Sequence, residues 1–203
     1  MKPTEKNSLN KVLLICGILA PLLFICTDIL AGILYTGYNF IYQSISELSA
    51  VGAPTRLLVV LLNVVFNVLL IAFVLGIWVS ANRNRLLRIT ALMILGNAVV
   101  TLIWAFFPMK LGEAPSDINV VLGAVSVIFF LLAIGFGASA YKNWFRLFSI
   151  GILATFLILA IFAFMVATTH IGVQERTMTY SYILWLAVLS ILLLRIKSQE
   201  IKS

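Results

Sequence analysis

Six long apolar stretches, each close to the length that crosses a lipid bilayer, constrain this sequence more than any other feature. A helix that crosses the hydrocarbon core needs about 20 mainly apolar residues, and it satisfies its backbone polar groups internally. The sequence therefore predicts an all-α, polytopic membrane protein: a six-transmembrane-helix bundle that forms a single domain over residues 1–203. The predicted spans are approximately 12–35, 57–80, 88–107, 118–140, 147–168 and 179–195.

The composition agrees with lipid as the surrounding solvent. Hydrophobic residues make up 63% of the chain and charged residues only 10%, whereas soluble domains carry about 25% charged residues. The net charge of +7 comes from basic residues set singly or in short groups between the apolar stretches. Because they form no continuous basic face, we expect contacts to anionic membrane lipids and no binding of nucleic acid.

The positions of Lys and Arg predict the orientation of the bundle. Eleven of the fourteen lie in the two terminal tails and in the second and fourth connections; the other three are Arg56, Lys110 and Arg176. Short cytoplasmic loops are enriched in Lys and Arg, so we expect both termini in the cytoplasm and the odd-numbered loops outside. The first span follows a basic leader, but its length and its Asp28 favour a retained helix over a signal peptide.

Polar side chains inside the spans concentrate toward the predicted outer end. Asp28 is the only acidic residue within a predicted span, and an intramembrane carboxylate usually faces the bundle interior with a partner. Asn63, Asn97 and Asn119 lie in the outer parts of three other spans. We expect a polar pocket that opens outward; the alternative is that these groups only form hydrogen bonds between helices.

The outer loop 36–56 carries the clearest local pattern. Ser44 and Glu47 have the Ser-x-x-Glu spacing of a capping box, in which each side chain satisfies an amide at a helix start. The pattern predicts a short helix at the outer interface, lying as a lid over the bundle. Gln43, Ser44, Ser46 and Glu47 are therefore candidate pocket residues, and capping alone is the alternative role for Ser44 and Glu47.

A second polar loop is predicted over residues 169–178. It contains His170, Glu175 and Arg176, which we add to the candidate ligand-binding residues. The Arg176 guanidinium is expected to pair with one of the outer carboxylates: Asp28, Glu47 or Asp117. His170 is the only histidine of the chain, and a lone histidine is more often a packing or hydrogen-bonding residue than a catalyst.

Common catalytic and metal-binding patterns do not fit this sequence. A zinc site needs three or four Cys, His or carboxylate ligands, and one histidine with two cysteines on the first span does not supply a recognisable set. We predict no metal and no cofactor. A Ser–His–Asp set around His170 has no support from spacing, so the sequence leaves catalysis undecided and favours a non-enzymatic role.

Five short motifs stand out along the chain. They are Gln43-Ser44-Ile45-Ser46-Glu47-Leu48, Gly52-Ala53-Pro54, Phe107-Pro108-Met109, Gly172-Val173-Gln174-Glu175-Arg176 and Trp185. With these motifs the chain resembles, over nearly its whole length, the family of six-helix membrane proteins called domain of unknown function 998. The resemblance implies a bacterial or archaeal plasma-membrane protein without an established activity. Similar members often carry a histidine where this chain has Asn119, and the departure argues against a metal or histidine-pair site.

Three functions fit these features. The one we favour is a binding or transport protein that receives a lipid or small solute in the outward-facing pocket, with Asp28, Glu47 and Arg176 as contacts. The second is an accessory protein that binds a membrane partner, and the third is an intramembrane enzyme that acts on a lipid through His170 and a carboxylate. A cavity that reaches Asp28 would support binding or catalysis, whereas a filled bundle with Arg176 closed on Glu47 would support the accessory role. The oligomeric state is left open.

Overall fold

The described part of the computed structural model, residues 3–165 and 170–200, is all-α. Each of its six long helices contains a segment long and apolar enough to cross a membrane, which confirms the predicted six-helix bundle. The chain is a multi-pass membrane protein. The helices are α1 Pro3–Leu34, α2 Arg56–Ser80, α3 Arg85–Trp104, α4 Asp117–Ala140, α5 Trp144–Met165 and α6 Ile171–Glu200, and a short 3₁₀ helix spans Ile45–Ser49.

The predicted loop before the last helix is wrong. Helix α6 begins at Ile171, so most of the segment 169–178 is helical and Glu175 and Arg176 lie in its first turns. The charges suggested a solvated loop, but both side chains find hydrogen-bond partners in the loop between α1 and α2. Because these partners replace water, both charged side chains can be buried, and the segment that carries them can be the start of a membrane helix.

Loops meet at one end of the bundle, which we call the loop end. It is formed by residues 35–55, residues 105–116 and the start of α6. The amide of Val51 donates to the carbonyl of Met109 at 2.7 Å, and the amide of Gly172 donates to the 35–55 loop at 3.1 Å. These backbone bonds tie three separate connections into one structure above the helices.

The opposite end, which we call the terminal end, holds the start of α1 and the two short connections 81–84 and 141–143. The side-chain amide of Asn10 donates to the hydroxyl of Ser80 at 2.9 Å. The side-chain amide of Asn84 donates to the carbonyl that ends α4 at 3.2 Å. Consecutive helices therefore run antiparallel, as a six-span topology requires.

Close packing between helices fills the bundle near the terminal end. Gly76 of α2 lies directly against the backbone of α1, where an added Cβ would meet Leu13 and Leu14 at 3.0 Å. The buried indole of Trp185 packs on Gly137 and donates to the hydroxyl of Ser149 at 2.9 Å. Lipid tails are as apolar as the side chains, so the hydrophobic effect does not drive membrane helices together and close packing must hold them. Small residues such as glycine permit this close approach.

The outside of the bundle is apolar. Ile33, Leu57 and Leu147 are 71%, 72% and 71% exposed, and many other large aliphatic side chains surround them. Exposed apolar surface of this extent is typical of a protein that is covered by another apolar medium. For helices α1 to α6, the apolar medium is the hydrocarbon tails of the membrane lipids.

Candidate functional site

A cavity of about 400 Å³ lies between the helices at the loop end. All six helices contribute to its wall, and the 3₁₀ helix and residues 105–109 complete it on the loop side. This volume lies within the range of sites that bind small molecules. The polar part of the wall includes Asp28, Arg56, Asn63, Asn97, Thr101 and Glu175.

The rest of the wall is largely aromatic and aliphatic. Phe24 and Phe66 contact one another with ring centroids 5.4 Å apart, and Phe130 of α4 and Phe156 of α5 also line the cavity. Polar groups and aromatic rings therefore line the same cavity. Such a space suits a molecule that has both a polar and an apolar part.

A bidentate ion pair stands at the edge of the cavity. The Nε of Arg176 donates to Oδ2 of Asp28 at 2.9 Å, and Nη2 donates to Oδ1 at 2.9 Å. The hydroxyl of Tyr180 also donates to Oδ2, at 2.5 Å. Asp28 is only 2% exposed and Arg176 9%, so close geometry and additional hydrogen bonds are needed to offset the loss of hydration.

The remaining donors of Arg176 bind the 35–55 loop. Nη2 donates to the hydroxyl of Tyr38 at 2.6 Å, and Nη1 donates to the carbonyls of Phe40 and Gln43 at 2.9 and 3.1 Å. The guanidinium also lies 4.8 Å from the centroid of the Phe40 ring, a cation–π distance. All five N–H groups of Arg176 thus have acceptors, and the group fastens the loop to α1 and α6. We call Asp28, Tyr38, Arg176 and Tyr180 the Arg176 cluster.

Tyr38 is a neutral donor within this cluster. Burial raises the pKa of Tyr38 to about 12, although the hydrogen bond from Arg176 acts in the opposite direction. Its hydroxyl therefore keeps its proton near neutral pH and donates to the carbonyl of Ser44 at 2.7 Å.

Glu175 holds the start of the 3₁₀ helix. Its Oε2 accepts from the amide of Ile45 at 2.8 Å, and its Oε1 accepts from the hydroxyl of Ser46 at 3.0 Å. A carboxylate at a helix start satisfies amides that have no partner within the helix. Two neighbouring residues of α6, Glu175 and Arg176, therefore bind the same loop at separate points.

The predicted capping box is confirmed. The hydroxyl of Ser44 accepts from the amide of Glu47 at 3.3 Å, and Oε1 of Glu47 accepts from the amide of Ser44 at 3.1 Å. Oε2 of Glu47 accepts from the side-chain amide of Gln43 at 2.8 Å. These three side chains stabilise the loop, and Leu48 anchors it with no exposed surface.

The structure separates the predicted pocket residues into two groups. One group lies on the cavity wall: Asp28, Ser46, Asn63, Asn97 and Glu175. The other group is absent from the described wall, because its members hold the loops or lie at their surface: Gln43, Ser44, Glu47, Asn119, His170 and Arg176. Contact of any of these residues with a ligand stays a prediction.

Asn119 and His170 belong to the second group, and their contacts explain why they do not line the cavity. The side-chain oxygen of Asn119 accepts from the indole of Trp104 at 2.6 Å, and its amide donates to Ser116 at 2.9 Å. His170 is exposed, with its ring centroid 5.3 Å from that of Tyr42. Among the described residues, no three His, Cys, Asp or Glu side chains come together as metal ligands.

Some polar residues both form hydrogen bonds between helices and line the cavity. The side-chain amide of Asn97 donates to the hydroxyl of Ser126 at 2.7 Å, and the hydroxyl of Thr101 donates to Asn67 at 2.8 Å. Asn97, Thr101 and Ser126 nevertheless also lie on the wall. The two roles offered as alternatives for the polar residues are therefore compatible.

Arg56 and Tyr182 are two of the wall residues that were not predicted from the sequence, and each has a polar group that is unpaired among the residues that the structure describes. Arg56 is half-buried on the wall, and its guanidinium has neither an ion pair nor a hydrogen bond within the described part of the chain. Tyr182 is 1% exposed, and its hydroxyl has no hydrogen-bond partner among the described residues. The position of Arg56 as a lone cation at a helix start was a usable signal, but nothing local marked Tyr182.

Four of the five sequence motifs meet at the loop end, whereas the fifth, Trp185, packs on Gly137 within the bundle. Residues 43–48 contact residues 172–176, and Val51, directly before Gly52-Ala53-Pro54, pairs with residues 109–111 through backbone hydrogen bonds. A family model described as "Protein of unknown function (DUF998)" matches residues 18–192. The chain belongs to the DUF998 family. No curated protein and no solved structure matches it. The DUF998 match includes every described residue of the cavity wall, so the site lies wholly inside the family's common region.

Proposed function

We propose that this DUF998 protein binds an amphipathic lipid or small solute in the cavity at its loop end. The cavity itself carries the proposal: its volume is about 400 Å³, and Asp28 lies on its wall. Its wall combines polar groups near the loops with phenylalanine rings between the helices. A molecule with a polar head and an apolar tail would satisfy both parts of the wall.

The proposal includes an orientation. The described Lys and Arg residues at the loop end are Arg56, Lys110 and Arg176, and the other described Lys and Arg residues lie toward the terminal end. By the positive-inside rule the terminal end lies in the cytoplasm and the loop end outside the plasma membrane. The cavity would then receive its ligand from the outer leaflet or from the exterior.

The position of Arg176 favours binding over an accessory role. A bundle filled at this end, with Arg176 closed on Glu47, would have suited a protein without pocket chemistry. Arg176 instead pairs with Asp28, and the cavity remains open beside them. For catalysis, His170 would have to face the cavity with a carboxylate, and it lies at the loop surface beside Tyr42.

Photo-crosslinking in lipid nanodiscs tests this proposal. Lysophosphatidylcholine and lysophosphatidate, each with the same diazirine-bearing acyl chain, would be crosslinked to purified protein and the labelled peptides mapped. The variant Val127→Trp fills the cavity from α4, and Val121→Trp places the same ring on the lipid-facing side of α4, where Val121 is 58% exposed.

We expect labelling of cavity peptides in the wild type and in Val121→Trp, and its loss in Val127→Trp. A second pair on α2, Val60→Trp on the wall and Val64→Trp on the lipid side, covers the case in which one variant does not fold. Equal labelling of all variants, with both probes, would show that the probes sit on the outer surface and would refute the proposal.

A further inference from the structure

Arg56 differs from the other two cations of the loop end. The Nζ atom of Lys110 lies 3.5 Å from Oε1 of Glu113, and Arg176 forms an ion pair with Asp28. The guanidinium of Arg56 has no such counter-ion among the described residues, and Arg56 is one of the residues that line the cavity. A fixed positive charge beside low-dielectric surroundings attracts an anion more strongly than it would in water.

The carboxylates on the wall do not cancel this charge. The charge of Asp28 is balanced by Arg176 through two hydrogen bonds. Glu175 directs both of its oxygens at donors of the 3₁₀ helix, the Ile45 amide and the Ser46 hydroxyl. Arg56 is therefore the wall cation whose donors are still available within the described structure.

The start of α2 adds to the same effect. Arg56 is the first residue of α2, and the side chain of the preceding Thr55 makes no cap: its hydroxyl donates to the carbonyl of Leu48 at 2.9 Å. The amide of Arg56 itself donates to the carbonyl of Ala53 at 3.2 Å, so the contribution of the helix start is its dipole, which is positive at this end. Charge and dipole thus favour an anion at one place on the wall.

Tyr182 supplies an independent indication of a ligand. Its ring stacks on Phe130 with centroids 3.9 Å apart, and its buried hydroxyl has no partner in the described part of the chain. Buried polar atoms are nearly always hydrogen-bonded, so such an exception calls for a partner from outside the chain. Tyr182 lies seven residues beyond Glu175 along α6, about 10 Å of helix axis deeper in the bundle.

We propose that the cavity selects an acyl lipid with an acidic headgroup. The carboxylate or phosphate of the lipid accepts hydrogen bonds from Arg56, and a carbonyl deeper in the molecule accepts one from the Tyr182 hydroxyl. The phenylalanine rings of the wall contact the acyl chain. This inference rests on the proposed function and names the ligand class that the same cavity takes.

The two diazirine probes test the charge preference. Lysophosphatidate carries a bare phosphate, whereas lysophosphatidylcholine carries the same chain with a compensating cation. In nanodiscs of zwitterionic lipid we expect cavity labelling by lysophosphatidate to exceed that by lysophosphatidylcholine by about tenfold, the effect of one strong charge-assisted contact. Arg56→Gln should lower labelling by lysophosphatidate far more than labelling by lysophosphatidylcholine and so remove this preference. Arg56→Lys should restore part of the preference, and Lys110→Gln should leave it intact.

An ether analogue of lysophosphatidate, which lacks the ester carbonyl, tests the role of Tyr182. We expect Tyr182→Phe to lower labelling by the ester probe several-fold, to the level of the ether probe, without changing labelling by the ether probe. An equal loss with both probes would show a packing role only and would overturn this contact.

The outcomes separate this inference from the proposed function. Equal labelling by the two headgroups in the wild type would overturn the charge selection and leave the binding function standing. Labelling that Val127→Trp does not reduce would overturn both. Suppression of lysophosphatidate labelling by excess inorganic phosphate would show a site for a free anion and would contradict the choice of a lipid.

Discussion

The guanidinium of Arg176 and the carboxylate of Asp28 are joined by two parallel hydrogen bonds of 2.9 Å, although they stand 148 positions apart in the sequence. The pair connects α1 with α6, the first and last helices, and through Tyr38 it also holds the 35–55 loop. Because both charges are nearly inaccessible, each is tolerated only in the presence of the other. We therefore expect that α1, α6 and the 35–55 loop can pack together at the loop end only when both charges are present.

Removing one charge of this pair should be strongly destabilising. In Asp28→Asn the positive charge of Arg176 stays buried without a counter-ion, and we expect a loss of about 3–5 kcal/mol in the free energy of unfolding. Replacing both residues, Asp28→Leu with Arg176→Met, should cost less than Asp28→Asn alone. Denaturant unfolding in detergent measures these differences.

Glu113→Gln is the control for this experiment. It breaks the exposed pair with Lys110, and exposed ion pairs contribute at most about 1 kcal/mol. If Asp28→Asn were no more harmful than Glu113→Gln, the pair would not be needed for the fold.

Glu175→Gln should loosen the 3₁₀ helix without unfolding the bundle. A carboxamide has a single oxygen acceptor, so it cannot accept from the Ile45 amide and the Ser46 hydroxyl as Glu175 does. We expect amide hydrogen exchange at residues 45–47 to become about tenfold faster or more. Thr177→Val is the matched control, because among the described residues the Thr177 hydroxyl donates only within α6, to the carbonyl of Val173. Faster exchange in that variant too would point to a general loss of stability.

Local patterns predict most of this fold. Apolar stretches of bilayer length locate the spans, and the spacing of Ser44 and Glu47 predicts the capping box, because both depend on residues close together in the sequence. The partner of Arg176 was limited to three carboxylates, and Asp28 is the one that the structure brings to it. Choosing between them requires knowledge of how helices pack, which no local pattern contains.

The errors and omissions share one physical cause. Glu175 and Arg176 predict a loop when hydration is the only way to satisfy them, but their partners lie about 130 residues earlier in the chain. Tyr182 shows the opposite case: nothing in the neighbouring sequence indicates a site, and only the packed bundle leaves its hydroxyl without a partner among the described residues. Whether a polar group finds a hydrogen-bond partner depends on the tertiary structure. The sequence alone therefore could not predict the partners of Glu175 and Arg176 or the unpaired hydroxyl of Tyr182.

Gly172 should be intolerant of even a methyl group. A Cβ at this position would overlap the backbone carbonyl oxygens of Phe40 and Gln43, which cannot move without releasing the bonds of the 35–55 loop to Arg176. We expect Gly172→Ala to lower the free energy of unfolding by about 1–3 kcal/mol. At Gly151 of α5 a Cβ would meet nothing within 4 Å, so Gly151→Ala should raise stability by about 0.5–1 kcal/mol. A similar effect of the two changes would contradict close packing of the loop on α6.

Alkaline pH should destabilise the loop end through Tyr38. Its pKa is about 12 in the fold because of burial, against about 10 in an unfolded chain. The protonated hydroxyl therefore contributes stability that is fully present below about pH 10 and is lost as the pH rises through 12. We expect hydrogen exchange of residues 35–55 to accelerate across this window, and Tyr38→Phe to reduce the pH dependence.

Tyr141 provides the comparison for Tyr38. Burial also raises the pKa of Tyr141 to about 12, but this residue lies in the 141–143 connection at the terminal end. Tyr141→Phe should therefore leave the alkaline response of residues 35–55 unchanged. If it altered that response as much as Tyr38→Phe, the effect would be global.

Cysteine labelling of intact cells can decide which face of the membrane the cavity serves. In a variant without Cys16 and Cys26, Ala114→Cys places a thiol in the exposed 105–116 connection of the loop end, and Ser198→Cys places one near the end of α6. Both changes are small and leave every charge in place, so the Lys and Arg distribution that is expected to set the orientation is preserved. We expect a membrane-impermeant maleimide to react with Ala114→Cys in intact cells, and with Ser198→Cys only after the membrane is permeabilised. The reverse pattern would place the cavity on the cytoplasmic side, and its acidic lipid would then have to come from the inner leaflet.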